Sequence, residues 1–398
     1  MIVDGTMQAV IAKIQEAAEK YIPEELDILQ EICNTDCQSK DVEGNKKVIS
    51  ILQRRVFPHL PIDLSYVEAP GVGTHVIARI TPENPRGKIV MVGHLDTVFP
   101  AGSAKEHPFH IDGEWAYGLG VADCKGGIIT GSYALRILAE NGLLPDWEIV
   151  MVWNCDEEIG SPTARPLFAQ EAEGADYTFA MESARLENGL LTCRWGCALF
   201  HVAVEGRSAH AGLAYTKGAD ANLQLARIIT RLSQQNDPEK NLYFNCGRIS
   251  GGEHGDIVSN HAEADGTFIF DTPEQMEKIK AIIQAVETED VLPGCSVKTD
   301  ITLMFPSMPR SEKTMKVYEL VHKAGLLLGR DYPEQWSLGS SDANWLTYFG
   351  APSLCALGPY MLDIHTVNER LRIDSLYEKT VLFAVTVSLL REEGEAHR

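Results

Sequence analysis

Lys88-Ile89-Val90-Met91-Val92-Gly93 is a short, closed run of large apolar residues, and it is followed at once by His94-Leu95-Asp96. The run is too short for a helix and rich in β-branched side chains, so it reads as a fully buried strand. The same shape recurs at Glu148–Asn154, Tyr177–Met181 and Pro352–Gly358. Helical patterns fall between these runs. One spans about Gly126 to Glu140, where Asn141-Gly142 should end it, and another covers Ala164–Glu173. Apolar spacing through Ile11, Ile14 and Ala18, then Leu26, Leu29, Ile32 and Cys33, makes the first 55 or so residues helical as well. Strand and helix in alternation predict an α/β fold with a mostly parallel sheet.

The texture changes near Trp195. Ala198–Val204 alternates as a half-exposed strand, and a helix (Ala219–Gln235) and two strands (Leu242–Ser250 and Ala262–Phe270) come next. A helix (Pro273–Val286) and a strand (Cys295–Phe305) complete the segment. That β-α-β-β-α-β order is the ferredoxin-like arrangement, four strands with helices on one face. The parallel rhythm resumes from about Glu312. A chain of 398 residues exceeds one ordinary core. The expected division is therefore a larger α/β domain, 1–194 and 306–398, with a smaller α+β domain inserted at 195–305.

Composition narrows the class of partner. The chain is 44% hydrophobic and 23% charged, with a formal charge of −21. Nucleic-acid backbones and anionic membranes both require a positive face, so neither is expected as a partner. No apolar stretch approaches the ~20 residues of a membrane span, and Met1-Ile2-Val3-Asp4-Gly5 has no basic-then-apolar leader pattern. Nine scattered cysteines, including the pairs Cys33/Cys37 and Cys193/Cys197, lack the matching partners of a zinc knot. Reduced thiols in a cytoplasmic protein are the expectation.

Five acidic or imidazole residues, His94, Asp123, Glu158, Glu182 and His365, each follow an apolar run or lie in the loop after one. Parallel strands opening into loops at their carboxyl ends gather such side chains at one sheet edge. Two His and three carboxylates suit two divalent ions, zinc first, manganese or cobalt next. Such pairs of ions activate water to cleave amides or esters. Asp123, Glu158 and Glu182 carry −3 and the adjacent Glu157 a fourth negative charge, which two divalent ions would balance. Asp96, two residues beyond His94 in extended chain, points to the same side and can hold one ring nitrogen. Glu157 is placed to take a proton from the attacking water. The glycines of Gly118-Leu119-Gly120-Val121-Ala122-Asp123 allow backbone close to an ion, and the phosphate-loop pattern is absent.

These motifs resemble the dinuclear zinc amidohydrolases that include glutamate carboxypeptidase of the folate-cleaving type, acetylornithine deacetylase and succinyl-diaminopimelate desuccinylase. The resemblance rests on Gly93-His94-Leu95-Asp96-Thr97-Val98, Gly118-x-Gly120-x-x-Asp123-x-Lys125-Gly126-Gly127, Asp156-Glu157-Glu158-x-Gly160-Ser161 and Gly206-Arg207-Ser208-Ala209-His210-Ala211-Gly212. It runs from about residue 85 to 375. It implies that His94 and Glu182 hold one zinc, Glu158 and His365 the other, and that Asp123 bridges. It further implies that Asp96 orients His94 and that Glu157 is the general base, then the acid toward the leaving amine. The inserted domain is implied to be a lid and homodimerisation domain whose His210 stabilises the oxyanion in a partner's site. Small peptides or N-acyl amino acids are the implied substrates. The rival reading on the same scaffold is an aminopeptidase-like dipeptidase or tripeptidase; a catalytically silent metal-binding protein is the other.

The departures concern specificity. Counting without gaps through Ile249–Phe270, Asp256 stands for the family's lid Asn, Ser259 for its Pro, and Ile269 for the Arg that takes a substrate carboxylate. An apolar side chain cannot replace a bidentate Arg clamp. Asp256 could instead accept from an amine. Candidate substitutes for the clamp are Arg248, Arg310 and the backbone amides of Gly339-Ser340-Ser341-Asp342, with Asp342 also expected as a helix cap.

Overall fold

The computed structural model describes residues 5–392. The chain divides into two compact units: one takes in the chain to Cys193, Arg310–Trp336 and the chain from Ser341, the other Arg194–Pro309 with Ser337–Ser340. The short return of Ser337–Ser340 to the second unit is a detail that the linear pattern does not carry.

The first unit is built on a six-stranded sheet in the order Asp63–Ala69, Gly73–Ile80, Glu148–Asn154, Lys88–His94, Tyr177–Ala180, Ser353–Leu354. The last four run parallel, and the first two form an antiparallel hairpin on one edge. Ile89, Val90, Met91 and Val92 are all buried, as a strand covered on both faces requires. Helix Gly127–Glu140 packs against both Gly5–Cys33 and Asp374–Glu392, while Val42–Arg55 lies against strand Gly73–Ile80. Val381 to Val385 are buried without interruption, so Asp374–Glu392 is enclosed on all sides rather than amphipathic.

The sequence reading did not find the edge hairpin. Asp63–Ala69 is almost wholly exposed and has no apolar period to detect. Pro352–Gly358 is also shorter than expected: only Ser353–Leu354 pairs, beside Tyr177–Ala180.

In the second unit, strands Tyr243–Gly251, His261–Phe270, Gly196–Glu205 and Ser296–Phe305 lie side by side in that order, all antiparallel. Ala198, Phe200, Val202 and Val204 alternate into a core shared with Leu225, Ile228, Ile279 and Ile283 of helices Ala221–Ser233 and Pro273–Ala285. The opposite face carries His201, Arg248 and Asp265. No helix among the described residues is long and apolar enough to cross a membrane, and all nine cysteines are free thiols.

Candidate metal centre

Three adjacent parallel strands deliver the first ligands. His94 is the last residue of the central strand, in register with Asn154 at the end of its neighbour. Glu157 and Glu158 follow Asn154, and Glu182 lies two residues beyond Ala180 on the other side. Asp123 enters from the loop before helix Gly127–Glu140, where the Asp123–Cys124 peptide is cis. That helix must begin with glycine: a Cβ on Gly127 would sit 1.6 Å from the Met181 carbonyl oxygen. The Asp123 loop and the Glu182 loop approach closely there. Gly120, with φ +71°, makes the turn that opens the loop.

His365 arrives differently from the expectation. It does not extend a strand of the main sheet. It sits, at φ +61°, in the turn between Met361–Leu362 and Arg370–Arg372, strands of a small antiparallel sheet that also contains Trp115–Tyr117.

The five side chains converge in two halves. Asp123 Oδ1 is 3.1 Å from His94 Nε2, and Glu182 Oε1 is 3.9 Å from that nitrogen. Asp123 Oδ2 is 3.2 Å from His365 Nε2, which lies 3.3 Å from Glu158 Oε2. Donors about 2.0–2.2 Å from a tetrahedral zinc lie roughly 3.3 Å from one another. The distances to the two imidazole nitrogens are near that spacing, and His94, Asp123 and Glu158 also lie together as one possible donor group. Cys124 Sγ also faces the His94 half. Burial, then the Glu182 charge, push this thiol well above its ordinary value, so it is a neutral neighbour.

Electrostatics follow from burial and pairing. Burial alone would depress His94, but its hydrogen bonds with Asp123 and Asp96 and the Glu182 charge hold it well above the usual histidine range. Hydrogen bonds to Asp123 and Glu158 push His365 up to about 10. Burial would raise Asp123, yet His365 and His94 hold it far below the carboxylate range. Burial, opposed by His94 and reinforced by the charges of Glu182, Asp342 and Glu158, lifts Glu157 well above its ordinary value. The Glu157 carboxylate is 8% exposed as a residue and has no hydrogen-bond or ion-pair partner among the described residues.

Asp96 acts less directly than expected. His94 Nδ1 lies 3.0 Å from the Asp96 backbone oxygen and 3.5 Å from its carboxylate. The carbonyl therefore accepts from Nδ1–H, so Nε2, which donates to Asp123 Oδ1, is the nitrogen that would offer a lone pair once its proton is lost. The Asp96 carboxylate instead accepts from the backbone N–H of Glu157 and Glu158, each at 3.2 Å, and from Ser39 Oγ at 2.5 Å. It fixes the loop that carries the base candidate and a ligand.

Glu369 went unnoticed in the sequence. It is 1% exposed, and its carboxylate accepts three backbone N–H groups, from Gly120, Ala122 and Asp123, each at 3.0 Å. Burial and the Asp123 charge raise it to about 7 against those bonds. Four residues beyond His365, it ties that turn to the Asp123 loop. The four-residue spacing from a candidate ligand was the only available signal.

The proposed substitutes for the missing Arg clamp are already engaged. Arg310 pairs through Nε and Nη2 with both oxygens of Glu334. Within the second unit, Arg248 donates to Asp265 at 2.6 Å and Glu263 at 2.8 Å. The Gly339 amide donates to Ser337 Oγ, and its carbonyl accepts from Arg194. Asp342 is not the helix cap: Ser341 caps helix Asp342–Tyr348 in a reciprocal pair with Asn344. Asp342 is fully buried instead, hydrogen-bonded to Ser161 Oγ and Asn154 Nδ2, and burial raises it to about 7.

His210 lies on an exposed loop of the second unit. Its Nδ1 accepts from the N–H of Gly212 at 3.1 Å and Leu213 at 3.3 Å. In the neutral ring that fixes Nε2 as the donor. Asp256 stands beside it: the Ala211 N–H donates to the Asp256 carbonyl, and the Asp256 carboxylate has no partner among the described residues.

Residues 90–388 match the model of peptidase family M20/M25/M40. Carboxypeptidase G2 of Pseudomonas sp. (strain RS-16) is 27% identical over 350 residues, 86% of this chain and 83% of that protein. Among solved structures, aminopeptidase PepT of Bacillus cereus ATCC 10987 aligns with a TM-score of 0.78 at 22% identity, over 93% of this chain and 98% of its own. A tripeptidase of Staphylococcus aureus subsp. aureus mu50 aligns at 0.77 and 21% identity, over 93% and 99%.

Proposed function

The chain belongs to peptidase family M20/M25/M40, and from that premise we propose that it hydrolyses an amide bond in a small peptide or N-acyl amino acid. The observation that carries the reading is the pairing pattern around Glu157. His94, Asp123, Glu158, Glu182 and His365 face one another as two sets of metal donors, while the Glu157 carboxylate among them has no partner. A buried, unpaired carboxylate beside such donors is what proton abstraction from an attacking water needs.

In this reading His94, Glu182, Glu158, His365 and Asp123 would hold two divalent ions, zinc in preference to manganese or cobalt, Asp123 being the residue that would serve both. Such ions, when bound, polarise the amide carbonyl and lower the pKa of water toward neutrality. Glu157 takes the water's proton and passes it to the departing nitrogen. His210 Nε2–H donates to the oxyanion, its direction set by the two backbone N–H groups on Nδ1. Residues 195–305 serve as lid and homodimer contact. Leu213, 87% exposed beside His210, leaves an apolar side chain for a second copy to cover. The protein works in the cytoplasm, its thiols reduced.

A second reading, an aminopeptidase-type dipeptidase or tripeptidase, is favoured by the unpartnered Asp256 carboxylate, which could take a substrate ammonium. Paired assays of N-blocked and N-free dipeptides separate the two. The test of the reaction is Glu157→Ala. It should remove turnover by about 10²-fold or more while both metal equivalents stay bound. Near-normal turnover in that variant would show that another group is the base.

A further inference from the structure

The reaction leaves open what replaces the absent Arg clamp, and the three candidates legible in the sequence are occupied: Arg310 by Glu334, Arg248 by Glu263 and Asp265, and the Gly339 amide by Ser337. The first unit contains a cavity of about 600 Å³ that borders the metal donors directly, with Glu158 in its wall. Ser39, Lys40, Asp41, Thr97 and Val98 also line it, and Lys40 is the one cation among its lining residues. We infer that this cavity seats a carboxylate of the substrate, with Lys40 as its counter-ion; the inference rests on the amide-hydrolysis reading above.

The pairing of the lining side chains supports this. Its two acidic side chains keep their charge but already have partners, neither of which is Lys40. Asp41 caps helix Val42–Arg55 by accepting the Gly44 N–H, and Glu158 faces His365. The Lys40 ammonium has neither ion pair nor hydrogen bond among the described residues. An anion entering the cavity therefore meets an uncommitted positive charge in the same lining as the candidate ligand Glu158.

The backbone at the root of that side chain is fixed. Lys40 has φ +75°, a left-handed conformation that a non-glycine residue adopts at a cost and that recurs at ligand-contacting positions. The neighbouring chain enforces it. Thr97 N–H donates to Cys37 O at 2.8 Å, Ser39 N–H to Thr97 O at 3.3 Å and Asp41 N–H to Gln38 O at 2.8 Å. Ser39 Oγ in turn donates to Asp96, the residue that fixes the Glu157 loop. The wall of the cavity and the loop of the base candidate are thus one hydrogen-bonded assembly.

The carboxylate could be the substrate's C-terminus or an acidic side chain, so matched pairs are needed. Metal-loaded wild type, Lys40→Met and Lys40→Arg are assayed on the best-cleaved dipeptide or N-acyl amino acid. One pair compares a free C-terminal carboxylate with its amide, the other a Glu side chain with Gln. Because Lys40 is solvent-exposed, Lys40→Met should raise KM by roughly five- to tenfold for the charged member of one pair, with the loss falling on KM rather than kcat. Lys40→Arg should restore it. The responding pair identifies which carboxylate is seated.

The same comparison is made without turnover, as calorimetric Kd values for these ligands in the Glu157→Ala background with and without Lys40→Met. Equal effects on charged and neutral members, or no effect, overturn the assignment. If wild type cleaves none of the substrates, the reading of the reaction fails, and the calorimetric arm still decides Lys40.

Discussion

Glu369→Gln tests whether the buried carboxylate governs the position of Asp123. In the native protein Oε1 accepts from Ala122 and Asp123, and Oε2 from Gly120, all at 3.0 Å. With its carbonyl in the Oε1 position, Gln keeps two of these bonds as neutral ones. The third is replaced by an NH₂ facing the Gly120 N–H. Converting two charge-assisted bonds to neutral ones costs about 1 kcal/mol each, and an unsatisfied buried N–H about 1–3 kcal/mol. Glu369 is raised to about 7, so near neutrality only part of the charge-assisted share is present before metal loading. A net loss of about 2–4 kcal/mol is expected, concentrated in the Gly120–Asp123 turn. Metal affinity should fall about 10- to 100-fold, as when other groups that orient a ligand are removed. Calorimetric melting of metal-free and loaded protein gives the first quantity, and competition with a chromophoric chelator gives the second. Activity should return at high metal concentration. A variant that melts early yet binds both ions like wild type would refute the reasoning, because Glu369 would then stabilise the turn without placing Asp123.

Metal loading should release protons near neutral pH, because ligand imidazoles must be neutral and both histidines are raised in the metal-free cluster. Calorimetry in buffers of different ionisation enthalpy measures the count, and zero release would contradict the geometry. The signs follow from the raised histidines. Affinity increases with pH, whereas the His365 contribution to the metal-free fold is complete below the ordinary histidine value and is lost as pH rises through about 10. His210→Ala should lower kcat about 10²- to 10³-fold with metal content and melting temperature little changed. An unchanged kcat would remove His210 from the reaction.

What could be read from the sequence was what lies close along the chain. His94, Glu157, Glu158 and Glu182 each come within four residues of the end of a buried apolar strand, so strand and ligand are legible as one motif. Glu369 meets Asp123 across 246 residues, and no local period records a pairing at that separation. Asp63–Ala69 is a strand with no buried face along most of its length, and hydrophobic patterning cannot detect it. The ion pairs that occupy Arg248 and Arg310 are cross-strand and inter-element contacts, whose partners only the fold brings near. Asp342 and Ser341 show the limit at one-residue scale. Both are good capping residues, and the deciding signal was Asn344, three positions after Ser341, which completes the reciprocal pair.

The titration pattern of the cluster has a common origin. Packing several carboxylates around buried His94, with the half-exposed His365 at the edge, is tolerable only if positive charge is shared among them. Without cations, protons supply it: both imidazoles are raised, and Glu157 and Glu158 are pushed up by burial. Asp123 is the exception, held down although it is just as enclosed. The reason is geometric. An imidazole nitrogen lies 3.1 Å from one of its oxygens and another 3.2 Å from the second, so it is the carboxylate flanked by positive charge on both sides. The bridging role proposed for Asp123 needs two ionised oxygens facing opposite ways, and the flanking imidazoles already impose that state on it. The Glu369 carboxylate acts on the backbone of this same residue, which is why its substitution should register in metal affinity before it registers anywhere else.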